Sequence, residues 1–142
     1  MKRIKIKNRY CRFDKINSLE ILGKNWRLTW NGYAVNEKMV NYKKTRMLMH
    51  HLVLGKKDGY EIDHINGNKL DNRLCNLRHV TRSQNNMNKK NVKGYIKTKE
   101  GNYQANIGKD GKKICLGTYK TIAEAKASRR IGEIKYFGEY AR

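Results

Sequence analysis

At 142 residues the chain has room for one ordinary domain or two small modules, and its 33 Lys and Arg against 12 Asp and Glu give a formal net charge of +21. So large an excess repels itself and needs a polyanion to offset the repulsion; nucleic acid is the natural one, because each neutralised phosphate releases condensed counterions. A membrane is the competing use of positive charge, but no apolar run approaches a spanning length and no signal-type apolar stretch follows the basic start, so a cytoplasmic protein is expected.

Residues 1 to 54 read as strand-rich. Leu28, Trp30, Tyr33, Val35, Met39, Val40, Met47, Leu48 and Leu52 fall in short runs around turn signals such as Asn31-Gly32. Trp26, Trp30 and Tyr42 read as core or sheet packing, with base stacking as the alternative. From Gly55 to about Asn91, Asn, Asp and His cluster among a few apolar anchors. There Tyr60–His64 and Leu77–Val80 are expected strands, and Thr81-Arg-Ser-Gln84 is a capping box that opens a helix carrying Asn85. A basic stretch, 86–93, bridges to the last segment. Beyond Gly94, Glu100-Gly101-Asn102 and Lys109-Asp110-Gly111-Lys112 are hairpin turns on either side of an alternating strand, 103–107. Ala105 and Ile107 are expected to face a core, and Gln104 and Asn106 to face outward. A third strand, Ile114–Tyr119, is followed by a capping box at Thr121-Ile-Ala-Glu124. The helix it opens shows an apolar stripe of Ala123, Ala127, Ile131, Ile134 and Phe137, with Arg129, Arg130 and Lys135 on its solvated face. Cys11, Cys75 and Cys115 are scattered and form no CxxC pair, so neither a disulfide framework nor structural zinc is expected.

The stretch YEIDHINGNKLDNRLCNLRHVTRSQNNMN, residues 60–88, carries the chemistry. The Asp63 carboxylate and the Asn85 amide oxygen suit a hard cation such as Mg²⁺ or Mn²⁺, leaving positions for water and phosphate. His64, neutral over part of the range near pH 7, can take a proton from an attacking water. Adjacent residues of a regular strand point to opposite faces, so the strand must end or bend at Asp63-His64. His79 reads as half-buried packing. His50 could orient a phosphate or simply be a bonded structural histidine.

These residues resemble the HNH endonuclease family, in particular its phage and intron-encoded homing branch. Asp63-His64 matches the first signature pair, Asn76 the middle asparagine and Asn85 the last position. His50-His51-Leu52-Val53, Asp63-His-Ile-Asn-Gly67 and Leu70-Asp-Asn72-Arg73 add further agreement. The resemblance implies a ββα-metal fold over about 58–90. His64 would be the general base, Asp63 and Asn85 the ligands of one divalent metal, and Asn76 a brace on the loop behind His64. Residues 94–141 are similar to the ethylene-response-factor (apetala-type) DNA-binding domain, whose three-stranded sheet enters the major groove of duplex DNA. That likeness nominates Lys97, Lys99, Tyr103, Gln104, Asn106, Lys112 and Lys113 as DNA contacts.

The expectation is thus an α+β chain of two modules: an endonuclease over 1–90, with strand-rich N-terminal segments leading into its core, and a DNA-binding module over 91–142, three antiparallel strands packed on one helix. A regulator with a decayed nuclease site and an RNA-binding basic protein are the rival readings.

Overall fold

The computed structural model describes residues 1–87 and 92–141, arranged as two compact units, 1–80 and 81–142. The boundary expected between residues 90 and 91, and half of the basic bridge (88–91), lie outside the described residues. Both units mix helix with small antiparallel sheets. Among the described residues no helix is long and apolar enough to cross a membrane.

The first unit opens with a hairpin of β1 (Lys2–Ile6) and β2 (Arg9–Phe13), followed by the short helix α1 (Ser18–Leu22). Strands β3 (Trp26–Leu28), β4 (Ala34–Val40) and β5 (Lys43–Leu48) then form a meander in that order. The β4–β5 turn places both Asn41 and Tyr42 at positive φ (48° and 61°), the primed-turn geometry whose twist suits a two-residue hairpin. Tyr42 is therefore held at an exposed tip, and Trp30, on the β3–β4 turn, is 98% exposed. Neither is core, contrary to the packing role expected from their size. Trp26 does pack, donating its indole N–H to the Ile21 carbonyl at 2.8 Å. On the meander, Glu37 gathers three cations: Arg27 at 3.0 Å, Lys44 at 3.1 Å and Arg46 at 2.8 Å.

The stretch after β5 is helical, not extended: α2 spans Met49–Leu54. Helical spacing buries His50 along with Met49 and Val53, whereas an alternating strand would turn His50 to the face opposite those two; Gly55 at φ 79° ends the helix. Strands β6 (Glu61–His64) and β7 (Leu77–Val80) pair antiparallel in the register Asp63 with Arg78 and His64 with Leu77. The core of the unit collects Phe13, Ile21, Met49, Val53, Leu70 and Leu77, so the hairpin, both helices and the β6–β7 pair share one apolar centre.

In the second unit, α3 (Arg82–Met87) starts on the expected capping box. Thr81 N–H donates to Gln84 Oε1 at 2.8 Å, and Gln84 N–H donates to Thr81 Oγ1 at 3.3 Å. Strands β8 (Tyr95–Lys97), β9 (Tyr103–Lys109) and β10 (Lys112–Tyr119) form a sheet with β9 central, and the Asp110-Gly111 turn joins β9 to β10. Helix α4 (Ile122–Phe137) begins at Thr121, whose reciprocal bonds with Glu124 complete a second capping box.

The buried face of α4 differs from the one expected. Ala125, Arg129, Gly132 and Phe137 point inward, while Ile131 and Ile134 remain 67% and 59% exposed. The cause is close approach: a Cβ at Gly132 would sit 2.6 Å from Leu116 Cδ1, so this contact selects small residues over branched ones. Arg129 belongs to the interior, not to a solvated face. Its stem lies against Gly94, its guanidinium donates to the Asn106 carbonyl, and its Nε donates to Glu133 at 2.9 Å. Asn106, expected to face outward, is correspondingly buried. Ile131→Ser should therefore change stability by less than about 0.5 kcal/mol, whereas Phe137→Ala should cost about 3 kcal/mol or more. Urea unfolding of the two variants beside the parent chain measures both.

Candidate active site

The path from β6 to β7 sets the site. His64 is the last residue of β6, and the chain turns at once: Gly67 N–H donates to the His64 carbonyl at 2.7 Å, and Ile65 N–H donates to the Asn76 carbonyl at 2.9 Å. Asp63 and His64, adjacent at this strand end, are both buried. Asp63 pairs across the hairpin with Arg78, whose Nε and terminal nitrogen both lie 3.0 Å from Oδ2. His64 Nε2 lies 3.2 Å from Asn72 Oδ1, and its ring sits among those of His50 (centroids 5.2 Å apart) and Tyr33 (5.9 Å).

Asn76, also buried, bonds two backbone groups of the loop. Its Oδ1 accepts from Asn66 N–H at 3.0 Å, and its Nδ2 donates to the Asp71 carbonyl at 2.7 Å. Asp71 adds side-chain bonds to Arg73 (2.7 and 2.6 Å) and Asn66 (2.9 Å), which hold its carboxyl below the usual range, the Arg73 bond being the largest cause. From outside the loop, strand β2 clamps it: Arg12 N–H donates to the Leu70 carbonyl at 2.8 Å, and Asn72 N–H donates to the Arg12 carbonyl at 2.9 Å.

Burial lowers the pKa of His64; its bond to Asn72 and the nearby carboxylates oppose that shift. His50 is driven down to about 3, mainly by burial and then by His64, and His51 is lowered by burial as well. At neutral pH the site therefore holds neutral imidazoles. That suits His64 to accepting a proton and assigns His50 no charge with which to meet a phosphate. His79 lies apart from this cluster, its Nε2 3.0 Å from the Gly55 carbonyl.

A concave surface of about 530 Å³ opens beside Tyr33, with Arg27, Trp30, Glu37, Arg46, His51 and Lys56 among its walls. Tyr33 thus links a mainly basic groove to the His64 ring.

The donor chemistry of Asp63 fits a hard cation. A carboxylate is an oxygen donor of the kind such ions take. Asn85 stands in the second unit, on α3. Among the described residues no group of three or more His, Cys, Asp or Glu could hold a metal ion; a site made of one carboxylate and one amide would not form such a group. Of the candidate DNA contacts, Lys97, Lys99, Lys112 and Lys113 are exposed, Tyr103 and Gln104 half-buried and Asn106 buried. Tyr103 shares the Ala105 and Ile107 side of β9 by alternation, with its ring edge-on to Tyr95 at 5.8 Å.

Sequence reasoning passed over Arg78, Asn72, Tyr33 and Cys11. Pairing Leu77 with His64 would have placed Arg78 opposite Asp63. Tyr33 and Cys11 reach the site through contacts distant in sequence, and Asn72 through the fold of its own loop.

Two outcomes test this geometry. Asn76→Ala should cost about 1–3 kcal/mol, because it strips buried backbone groups of their partners, and should speed hydrogen exchange at the Asn66 amide. Between the unfolded histidine pKa near 6.5 and the folded value near 3, the unfolded chain binds a proton at His50 that the folded chain does not. Stability should accordingly be full above about pH 7 and fall as the pH drops toward about 5. A melting temperature that stays level across that range would contradict the burial of the cluster, and His50→Phe should flatten the slope.

Residues 48–87 match the sequence profile of the HNH endonuclease family. The chain is also 34% identical over 121 residues to an uncharacterized HNH endonuclease of Acanthamoeba polyphaga mimivirus, an alignment covering 82% of this chain and 64% of the relative. No solved structure matches. Both comparisons support membership of the HNH endonuclease family, with the signature stretch at residues 48–87.

Proposed function

We propose that the chain is a metal-dependent endonuclease of the homing type, hydrolysing phosphodiester bonds in duplex DNA. The observation that carries this reading is the Asp63-His64 pair at the end of β6: a carboxylate fit for a hard cation beside a buried imidazole that stays neutral near pH 7. His64 takes the proton of an attacking water, a contribution of roughly 10²–10⁴-fold, and Asn76 holds the loop that fixes the direction of the ring. Asp63 and Asn85 would hold one Mg²⁺ or Mn²⁺. A divalent cation there supplies stabilisation of the charge developing on the scissile phosphate and on the departing sugar oxygen. Arg78, paired with Asp63 across the hairpin, orients that carboxylate.

Binding is the task of the basic surfaces. The groove beside Tyr33 leads phosphate groups toward His64, and the second unit acts as an ethylene-response-factor-like module whose exposed Lys97, Lys99, Lys112 and Lys113 meet the backbone of the duplex. The net charge of +21 supports this assignment.

Incubation with supercoiled plasmid in Mg²⁺, Mn²⁺ or EDTA, beside His64→Ala, tests it. Metal-dependent nicking or linearisation is expected for the parent chain, and a rate at least about 100-fold lower with nearly intact DNA binding for the variant. Equal cleavage by His64→Ala would remove the imidazole from the mechanism. Tight, salt-sensitive binding without any cleavage would turn the reading toward a DNA-binding regulator.

A further inference from the structure

A line of three hydrogen bonds runs from the core to the imidazole. The Cys11 thiol donates to Met49 Sδ at 3.3 Å, Asn72 Nδ2 donates to Cys11 Sγ at 3.0 Å, and Asn72 Oδ1 faces His64 Nε2 at 3.2 Å. Its direction is set at the far end, because a thioether has no hydrogen to give. Met49 can only accept, so the thiol hydrogen goes to it and the Cys11 sulfur is left as an acceptor for Asn72. The amide NH₂ then lies on the sulfur side and its carbonyl oxygen on the imidazole side. A neutral imidazole facing a carbonyl oxygen must donate. Asn72 is 0% exposed, so no water competes for these bonds, and burial that pushes the Cys11 thiol pKa up to about 11 keeps the sulfur protonated.

We propose that Asn72 is a positioning residue that holds His64 as the Nε2–H tautomer, with the proton-accepting lone pair on Nδ1, and that strand β2 fixes Asn72 for this purpose through Cys11 and the Arg12 backbone. Strand β2 lies outside residues 48–87, so the N-terminal hairpin is a working part of the site and not an appendage. The proton leaving the attacking water bonds to Nδ1, and the resulting imidazolium keeps its Nε2–H on Asn72 Oδ1, a charge-assisted bond stronger than the neutral one. The catalytic role rests on His64 being the base in the proposed cleavage; the tautomer does not.

The test is long-range ¹H–¹⁵N correlation of the histidine rings in the full-length, ¹⁵N-labelled chain in EDTA at about pH 8, where a histidine of ordinary pKa is neutral. Expected for His64 are a protonated Nε2 and an unprotonated Nδ1. Asn72→Ala should give a mixture of tautomers and lower kcat about 10- to 100-fold with little change in KM, as loss of an orienting partner does. Asn72→Asp, whose carboxylate still accepts from Nε2–H, should keep the tautomer and recover part of kcat. A protonated Nδ1 in the parent chain overturns the proposal, as does an unchanged tautomer in Asn72→Ala. If Asn72→Ala does not fold, the spectra of the parent and of Asn72→Asp decide. An Nε2–H tautomer in a parent chain that cleaves no DNA under Mg²⁺ or Mn²⁺ overturns the nuclease reading, and the catalytic role with it, while upholding the tautomer.

Discussion

Burying an imidazole and a carboxylate side by side at the end of a two-stranded sheet costs free energy unless each finds a partner, and the polar loop between β6 and β7 supplies the framework that makes it possible. Arg78 answers the carboxylate across the hairpin and Asn72 answers the imidazole from within the loop. The loop can do this only because its own backbone groups are bonded by Asn66, Asn68, Asp71 and Asn76, none of which adds much apolar surface. The asparagine-rich composition of this stretch follows from that need: short amide side chains donate and accept at once, and they pair with backbone without bringing charge into the interior.

The same constraint explains the architecture of the first unit. A polar loop cannot hold itself in place by hydrophobic packing, so it is gripped by something that can. Strand β2 contributes Cys11 and Phe13 to the apolar core while its backbone pairs with Leu70 and Asn72. Helix α2 does likewise from the other side, burying Met49 and Val53 while presenting His50 to His64. Each supporting element therefore faces two ways, toward the core and toward the site. Loosening the core at Phe13 or Met49 should be felt as lost order at His64.

Local signals in the sequence were legible where the chemistry was local. The capping boxes at Thr81 and Thr121, the Asp110-Gly111 turn, the pair of strands around Asp63-His64 and the strand end at His64 all depend on residues within a few positions of one another. What could not be read depended on partners far along the chain. The segment 49–54 is short and apolar enough to suit either periodicity, and only the core it meets makes it helical. Helix α4 carries two candidate stripes, and hydrophobicity favoured the branched one. The sheet instead takes the stripe with Ala125 and Gly132, because Leu116 leaves no room for a branched side chain at position 132. Trp30 and Tyr42 are aromatics whose size suggests core or sheet packing, yet the turns that carry them leave both exposed. For the site, Asp63, His64, Asn76 and Asn85 could be named from their spacing and from family likeness, whereas Asn72, Cys11 and Tyr33 required the tertiary contacts.

Glu37 has a consequence for how the charge of this protein is spent. With Arg27, Lys44 and Arg46 gathered on it, its carboxyl is held below the usual range, the bond from Lys44 being the largest cause. Three cations on the groove side of the meander thus already have an anionic partner that moves with the protein. A phosphate arriving there exchanges places with a carboxylate instead of capturing an unpaired cation, and the gain from that exchange is smaller than a count of basic side chains suggests. The meander is in effect a charge-buffered surface: attractive to a polyanion at long range through its net positive field, yet shallow in its individual contacts.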